Sequence, residues 1–519
     1  MAAPGAPANQ STKKNLRGSS LMLVGRFITM VTNFAVQVLI VRYLSKGDYG
    51  AFAYAMSLVS MGSSLAVFGM EKTVTRFLPI YQEKGEYPKL FGTLIIVIST
   101  VLSLGLLLVI LVFGLQGWIA DSFIKDQQAL TLLLLLIFMS PIQALDSVMV
   151  GLLAIFGKPS SIFFRRHILG PGLKLLVVLL LVLLQRDVYF LALGYLVSGV
   201  IGIVIYVAIL IRDLRENEAW KHFSFQNLKF PVKEVFSFSA PLLTTNYVYV
   251  FRSQLVIILL EYFRGTLDVA AYRAVQPVAD LNSTVIQSFG LLFMPAMARM
   301  FARNDRDGLA HLYWQNAIWI TVISFPIFLL TFSLAEPLTL LLFGERYAES
   351  GLIMALLAFG YYFNAALGFN ADTLRIHGKL RYTVIVDFVS MAISAGLHLL
   401  LIPRFGAFGA AIGTCATLVI YNVLNHLGLK FATNIDLFEW RYLRVYVSIA
   451  LGTLALAVFQ SIFSPPVYIG VLLAGVISLI VLLINRNVLH IEQTFPELLR
   501  IQFVRFLFEP RRSKKQLAE

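Results

Sequence analysis

The chain has 519 residues, of which 58% are hydrophobic and 13% charged, and its mean hydropathy is +0.79. A soluble protein of this size could not hide so much apolar surface, so lipid is its solvent. The formal charge of +14 needs no nucleic acid to explain it, because the basic residues gather along one face of a membrane, where anionic headgroups attract them.

Residues 1–15 read as a disordered cytoplasmic tail. Lys13, Lys14 and Arg17 precede an apolar run that is too long for a signal-peptide core and is interrupted by Arg26 and Asn33, so the first span is expected to be retained. About fourteen apolar segments then follow, each roughly long enough for a ~30 Å hydrocarbon layer. They lie at 19–42, 48–70, 90–114, 129–155, 161–184, 188–211, 235–260, 267–293, 310–333, 350–371, 382–402, 407–430, 442–463 and 466–485. Their length argues for helices rather than barrel strands. The fold class expected is therefore an all-α polytopic membrane protein.

Within these segments, charges and amides fall at helical spacing. In the first, Arg26, Thr29, Asn33 and Gln37 share one face. The fourth holds Asp146, and the fifth holds Lys174 just after Pro171-Gly172. The seventh carries Thr245, Tyr249 and Arg252, and the eighth carries Arg273, Gln276, Asp280, Thr284 and Gln287. Asp387 lies in the eleventh. A charge at bilayer depth costs several kcal/mol unless it meets protein, water or a counter-ion, which makes each of these a candidate functional residue. Arg26, Asn33, Lys174, Arg252, Arg273 and Gln276 are the candidates for binding an anionic group. Asp146, Asp280 and Asp387 are candidates for ion coupling or for pairing with the cations. The competing readings are snorkelling of the cations toward headgroups and a purely structural ion network.

The chain repeats at an offset near 220. Asp48-Tyr49-Gly50-Ala51-Phe52 corresponds to Asp268-Val269-Ala270-Ala271-Tyr272, Gly157-Lys158 to Gly378-Lys379, and Leu193-Gly194 to Ile412-Gly413. Six spans per unit is an even number, so two lobes of the same topology are expected. They cover 16–211 and 235–430, joined by a polar connector at 212–234. Two further spans occupy 431–487, and a basic tail, 488–519, suits a helix in the membrane interface.

With both termini in the cytoplasm, inner segments hold 31 Lys and Arg and outer loops 7, with four more inside spans. This is a strong positive-inside bias. The single cysteine, Cys415, rules out an intrachain disulfide, and the seven histidines lack ligand spacing, so neither a metal nor any other cofactor is expected. Outer loops are short and hold no paired carboxylates, which argues against an enzyme, including a membrane polymerase or ligase.

Several motifs resemble the polysaccharide-transport (Wzx-type) flippase family of the multidrug/oligosaccharidyl-lipid/polysaccharide exporter superfamily. They are Leu16-Arg17-Gly18-Ser19-Ser20, Val41-Arg42-Tyr43-Leu44 with Asp48-Tyr49-Gly50, His377-Gly378-Lys379, and Leu401-Ile402-Pro403-Arg404-Phe405-Gly406-Ala407. The resemblance implies two six-helix lobes flanking a cleft and alternating access. It implies a polyprenyl-linked sugar as cargo, with the (pyro)phosphate met by cleft arginines such as Arg26 and, further along, Arg252 and Arg273. It also implies a lipid-tail groove on the last two spans and, as partners, membrane lipids, glycosyltransferases and a polysaccharide polymerase. The superfamily's drug antiporters are the rival reading. That reading expects acidic residues in the cavity, whereas the first span here carries Arg26 and no acid.

Overall fold

The computed structural model describes residues 7–491 apart from 125, 157–158, 217–222, 434, 437 and 490. Helices make up nearly all of it. In chain order they are α1 (Pro7–Tyr43), α2 (Lys46–Val67), α3 (Met70–Glu83), α4 (Tyr87–Gly114), α5 (Gln116–Ser122), α6 (Gln127–Leu136), α7 (Met139–Phe156), α8 (Pro159–Phe163), α9 (Gly170–Leu183) and α10 (Val188–Glu216). After the connector come α11 (Val232–Arg264), α12 (Thr266–Ala279), α13 (Asn282–Ala302), α14 (Arg306–Ser333), α15 (Ala335–Phe343), α16 (Ser350–Ala366), α17 (Asn370–Ile376), α18 (Leu380–Thr433), α19 (Leu443–Phe463) and α20 (Val467–Leu489). A π-helical stretch, Phe164–Leu169, lies between α8 and α9.

Helix α1 begins at Pro7, inside the segment expected to be a tail. The basic tail lies outside the described residues from position 492 onward, as do the middle of the connector, the Gly157-Lys158 landmark of the repeat, and the side chains of Thr245 and Tyr249.

Among the described residues, ten helices are long and apolar enough to cross a membrane, or up to twelve if each of two bent pairs counts as one span. This falls short of the fourteen expected, and the shortfall has two sources. Segments 382–402 and 407–430 run together as α18, whose 54 residues would measure about 81 Å, far more than one bilayer. Inside α18, Gly406 adopts φ 58° and ψ −136°, so this element is two helices meeting at a break. The other source is α11, which is 33 residues long but interrupted by Pro241, Thr244, Thr245, Asn246 and Arg252.

The 220-residue repeat is visible in the elements themselves. Helix α12 begins 220 positions after α2, and α14 begins 219 after α4. Both α2 and α12 carry an aspartate in their first turn, Asp48 and Asp268, where a negative charge complements the helix dipole.

The chain forms two compact units. The first comprises Met1–Ala274 with Ile402–Ala407, and the second Val275–Leu401 with Phe408–Glu519. The first has a core of Ala66, Met70, Val74, Leu78, Leu90, Val97, Val148, Leu152 and Tyr206. Helix α3 reaches that core after a sharp turn made by Phe68 and Gly69, both with positive φ. The second unit packs around α14, with Tyr313, Trp314, Phe325 and Leu329 against Val445 and Leu456 of α19 and Ala474 and Val481 of α20. Trp319 donates its indole N–H to the Leu489 carbonyl at 2.9 Å, and Asn485 bonds Ser448 at 2.8 Å. The two C-terminal helices are thus fixed by polar contacts, which stand in for the missing hydrophobic drive between helices in lipid.

Candidate functional site: a cationic cavity in the first unit

A cavity of about 610 Å³ lies within the first unit, walled by α1, α3, α7, α10 and the π-helical stretch with α9. Its charged lining is Arg165, Arg166 and Lys174 against Glu71 and Asp146. Thr29, Asn33, Gln143, Ser147 and Ser198 supply neutral polar groups, and Met139, Ile142, Val150 and Tyr206 supply apolar ones. A pocket of this size and mixed lining suits a small polar headgroup.

The three cations have different surroundings. Arg165 is 7% exposed. Its Nη2 meets Asp146 Oδ1 at 2.5 Å, its Nε donates to the Gly202 carbonyl at 3.3 Å, and its guanidinium lies 4.1 Å over the Tyr206 ring. A side chain at Gly202 would overlap that guanidinium, so glycine is what admits it. Arg165 is therefore engaged in holding the π-helical stretch to α7 and α10. Lys174 sits 5.6 Å over the Tyr195 ring, a cation–π contact that leaves its ammonium donors available. Arg166 is exposed to the cavity. Neither Arg166 nor Lys174 makes a salt bridge among the described residues. Both lining carboxylates have a cation beside them: Asp146 meets Arg165, and Glu71 lies 3.5 Å from the Lys72 ammonium.

Of the residues expected from the sequence, Asn33, Asp146 and Lys174 line this cavity. Arg26 is exposed on α1 and does not line it. Arg273 also lies in the first unit, where its Nη2 bonds Ser57 Oγ at 2.7 Å and Gln254 Oε1 at 2.6 Å. Its carbonyl accepts from Gln37 at 3.4 Å, and Gln37 in turn donates to Tyr49 at 2.6 Å. Arg252 is half-buried on α11.

Three expected residues belong to the second unit. There, Gln276 bonds the Tyr361 hydroxyl at 3.3 Å, Asp280 accepts from Ser283, and Asp387 faces Arg375 at 3.8 Å. Arg375 also reaches Asp372 at 3.0 Å, so Asp387 takes part in charge pairing.

Arg165, Arg166, Glu71 and Tyr206 were not among the expected site residues. The two arginines stand near the start of the fifth segment and read as the ordinary basic flank of a span. With α-helical periodicity Arg165 falls about 180° from Lys174, so no stripe signals the site.

Among the described residues the fold is all helical, with many helices long and apolar enough to cross a membrane and a cavity lined by charged and polar side chains, which defines a multi-pass helical membrane protein. Residues 39–352 match the family described as "Polysaccharide biosynthesis protein", and the chain belongs to that family. It is 22% identical over 417 residues to the uncharacterized membrane protein MJ1068 of Methanocaldococcus jannaschii, covering 78% of this chain and 81% of that one. It is 22% identical over 407 residues to the capsular polysaccharide biosynthesis protein CapF of Staphylococcus aureus, covering 76% and 94%. The fold is similar to the solved structure of the lipid II flippase MurJ in an inward closed conformation, with TM-score 0.70 and 15% identity, over 91% of this chain and all of that one.

Proposed function

We propose that this protein carries a polyprenyl-linked oligosaccharide across the cytoplasmic membrane for surface polysaccharide biosynthesis. The observation that carries this reading is the cavity, where lining cations outnumber carboxylates by three to two and one carboxylate is already neutralised by Arg165. The phosphate or diphosphate of the lipid carrier is then met by Arg166 and Lys174, with Asn33 and Thr29 as neutral donors. Arginine binds phosphate oxygens in pairs and lysine does so as a point charge. Family membership supports a sugar-linked cargo. The first unit's surplus of cations weighs against a drug antiporter, which would need net negative charge to attract a cationic drug.

The basic-residue bias supports cytoplasmic termini. In that orientation Gly151 stands near the inner end of α7, and α3, which carries Glu71 and Thr75, runs on toward the inner loop at Lys84, so the cavity opens toward the leaflet where lipid-linked sugars are assembled. Glycosyltransferases supply the cargo there, and a polymerase consumes it outside. Asp280 has no cation within salt-bridge distance among the described residues, and it is our candidate for a coupling ion. Asp387 is assigned to charge pairing. Arg26, Arg252 and Arg273 are assigned to the path the anion follows outside the cavity.

The test is export of surface glycan in a flippase-deficient host complemented with variants. Lys174→Ala and Arg166→Ala should each abolish export at normal membrane abundance. Export at the parent level in both would overturn the reading. Asp280→Asn should change the dependence of transport on H⁺ or Na⁺, and an unaltered dependence would remove it as a coupling site.

A further inference from the structure

The π-helical stretch Phe164–Leu169 carries Arg166 and leads into the helix of Lys174, the two lining cations without a salt bridge among the described residues. A π-turn closes i→i+5 rather than i→i+4, so it takes in one residue more than an α-turn, and such insertions recur at functional sites. Here the extra residue has a geometric consequence. In an uninterrupted α-helix, Arg166 and Lys174 would lie about 80° apart around the axis. With one residue absorbed by the π-turn the separation falls to about 20°. The same insertion moves Arg165 from the face opposite Lys174 to within about 80° of it. That is the arrangement seen, with all three side chains lining one cavity.

Two neighbours hold the wide turn in place. His167, 5% exposed, brings its Nδ1 to 2.7 Å from the Thr29 hydroxyl, which itself donates to the Gly25 carbonyl at 3.0 Å. With that hydroxyl proton spent on Gly25, the ring donates from Nδ1. The ring packs directly on the Gly25 α-carbon, where any side chain would overlap it. On the other side, Arg165 is fastened to Asp146 and Gly202. Three consecutive residues thus face three directions: Arg165 to α7 and α10, Arg166 to the cavity, and His167 to α1.

We propose that His167 is a positioning residue: its bond to Thr29 and its seat on Gly25 fix the π-turn that brings Arg166 into line with Lys174. The proposal rests on the reading of this cavity as the phosphate seat, and its test separates the two. In a Cys415→Ser background, Arg166→Cys provides a single thiol on the cavity wall. Its rate of modification by an anionic methanethiosulfonate is measured on purified protein in detergent. His167→Ala should slow that rate by about tenfold, the equivalent of about 1.4 kcal/mol in the local equilibrium. His167→Gln, which keeps an N–H for Thr29, should restore most of it. Gly25→Ala should mimic His167→Ala and add nothing when combined with it. A thiol at Ser147→Cys on α7, in the same cavity, should react at its parent rate throughout.

Undiminished reactivity at position 166 in His167→Ala overturns the positioning role, whatever happens to export. Slowing at position 147 as well would mean collapse of the cavity rather than a change of register, and overturns it too. Slowed reactivity at 166 alone with intact glycan export keeps the positioning role and overturns the assignment of the phosphate to this cavity.

Discussion

Arg165 carries its charge at 7% exposure because Asp146, the Gly202 carbonyl and the Tyr206 ring divide it among them. Removing one partner of a buried pair leaves the other charge uncompensated, which costs more than removing both. Asp146 is 40% exposed at its side chain, so water softens the loss. Asp146→Leu should therefore lower stability by about 2–3 kcal/mol, read as the unfolding midpoint in detergent, and Arg165→Met combined with Asp146→Leu should recover part of it. Arg273 invites a similar comparison. Its charge-assisted bonds to Ser57 and Gln254 predict that Arg273→Ala costs about 1.5–3 kcal/mol of stability. Lys174, whose ammonium meets only an aromatic face among the contacts described, should leave the midpoint of Lys174→Ala within about 0.5 kcal/mol of the parent. If the two variants change places in that assay, Lys174 and not Arg273 is the cation that holds the fold.

At the scale of elements, the break in α18 depends on two residues. Gly406 holds a left-handed φ of 58° that a side chain resists, and Asp268 accepts the Ala407 N–H at 3.1 Å while lying 3.5 Å from Arg264. Gly406→Ala should cost about 1–2 kcal/mol, and Asp268→Ala about 1 kcal/mol through loss of the cap, both measured by thermal unfolding. Features like this were partly legible in the sequence. The repeated aspartates at 48 and 268 marked where α2 and α12 begin, because both need a negative group in the first turn. The α1 stripe was legible in part: Thr29 and Asn33 line the cavity and Gln37 turns to Tyr49, whereas Arg26 is exposed outside it. The stripe from Arg273 to Gln287 was not, because α12 stops at Ala279 and a new helix starts at Asn282. The π-turn was invisible for a deeper reason. Period-3.6 reading assumes one rise and one rotation per residue, and a single inserted residue shifts everything beyond it by about 100°. Lys174 therefore stands in the sequence without a stripe to explain it.

For the whole molecule, orientation decides what the cavity can load. The orientation proposed from the sequence, which assigns 31 basic residues to the inner side and 7 to the outer, should place Lys46, Arg186 and Arg346 outside and Lys84, Arg303 and Lys379 inside. Each pair of neighbouring markers is separated by one or more of the helices that cross. Single cysteines at these six positions, again with Cys415→Ser, test the assignment with an impermeant thiol reagent on intact cells. The first three should label without permeabilisation and the last three only after it. Glu71 and Thr75 line the cavity from α3, within about four turns of Lys84, so the side on which Lys84 labels is the side from which the cavity is entered. Labelling of position 84 from outside would turn the cavity toward the outer leaflet. An exporter could not then load its anionic headgroup there, and the cavity would have to serve release instead.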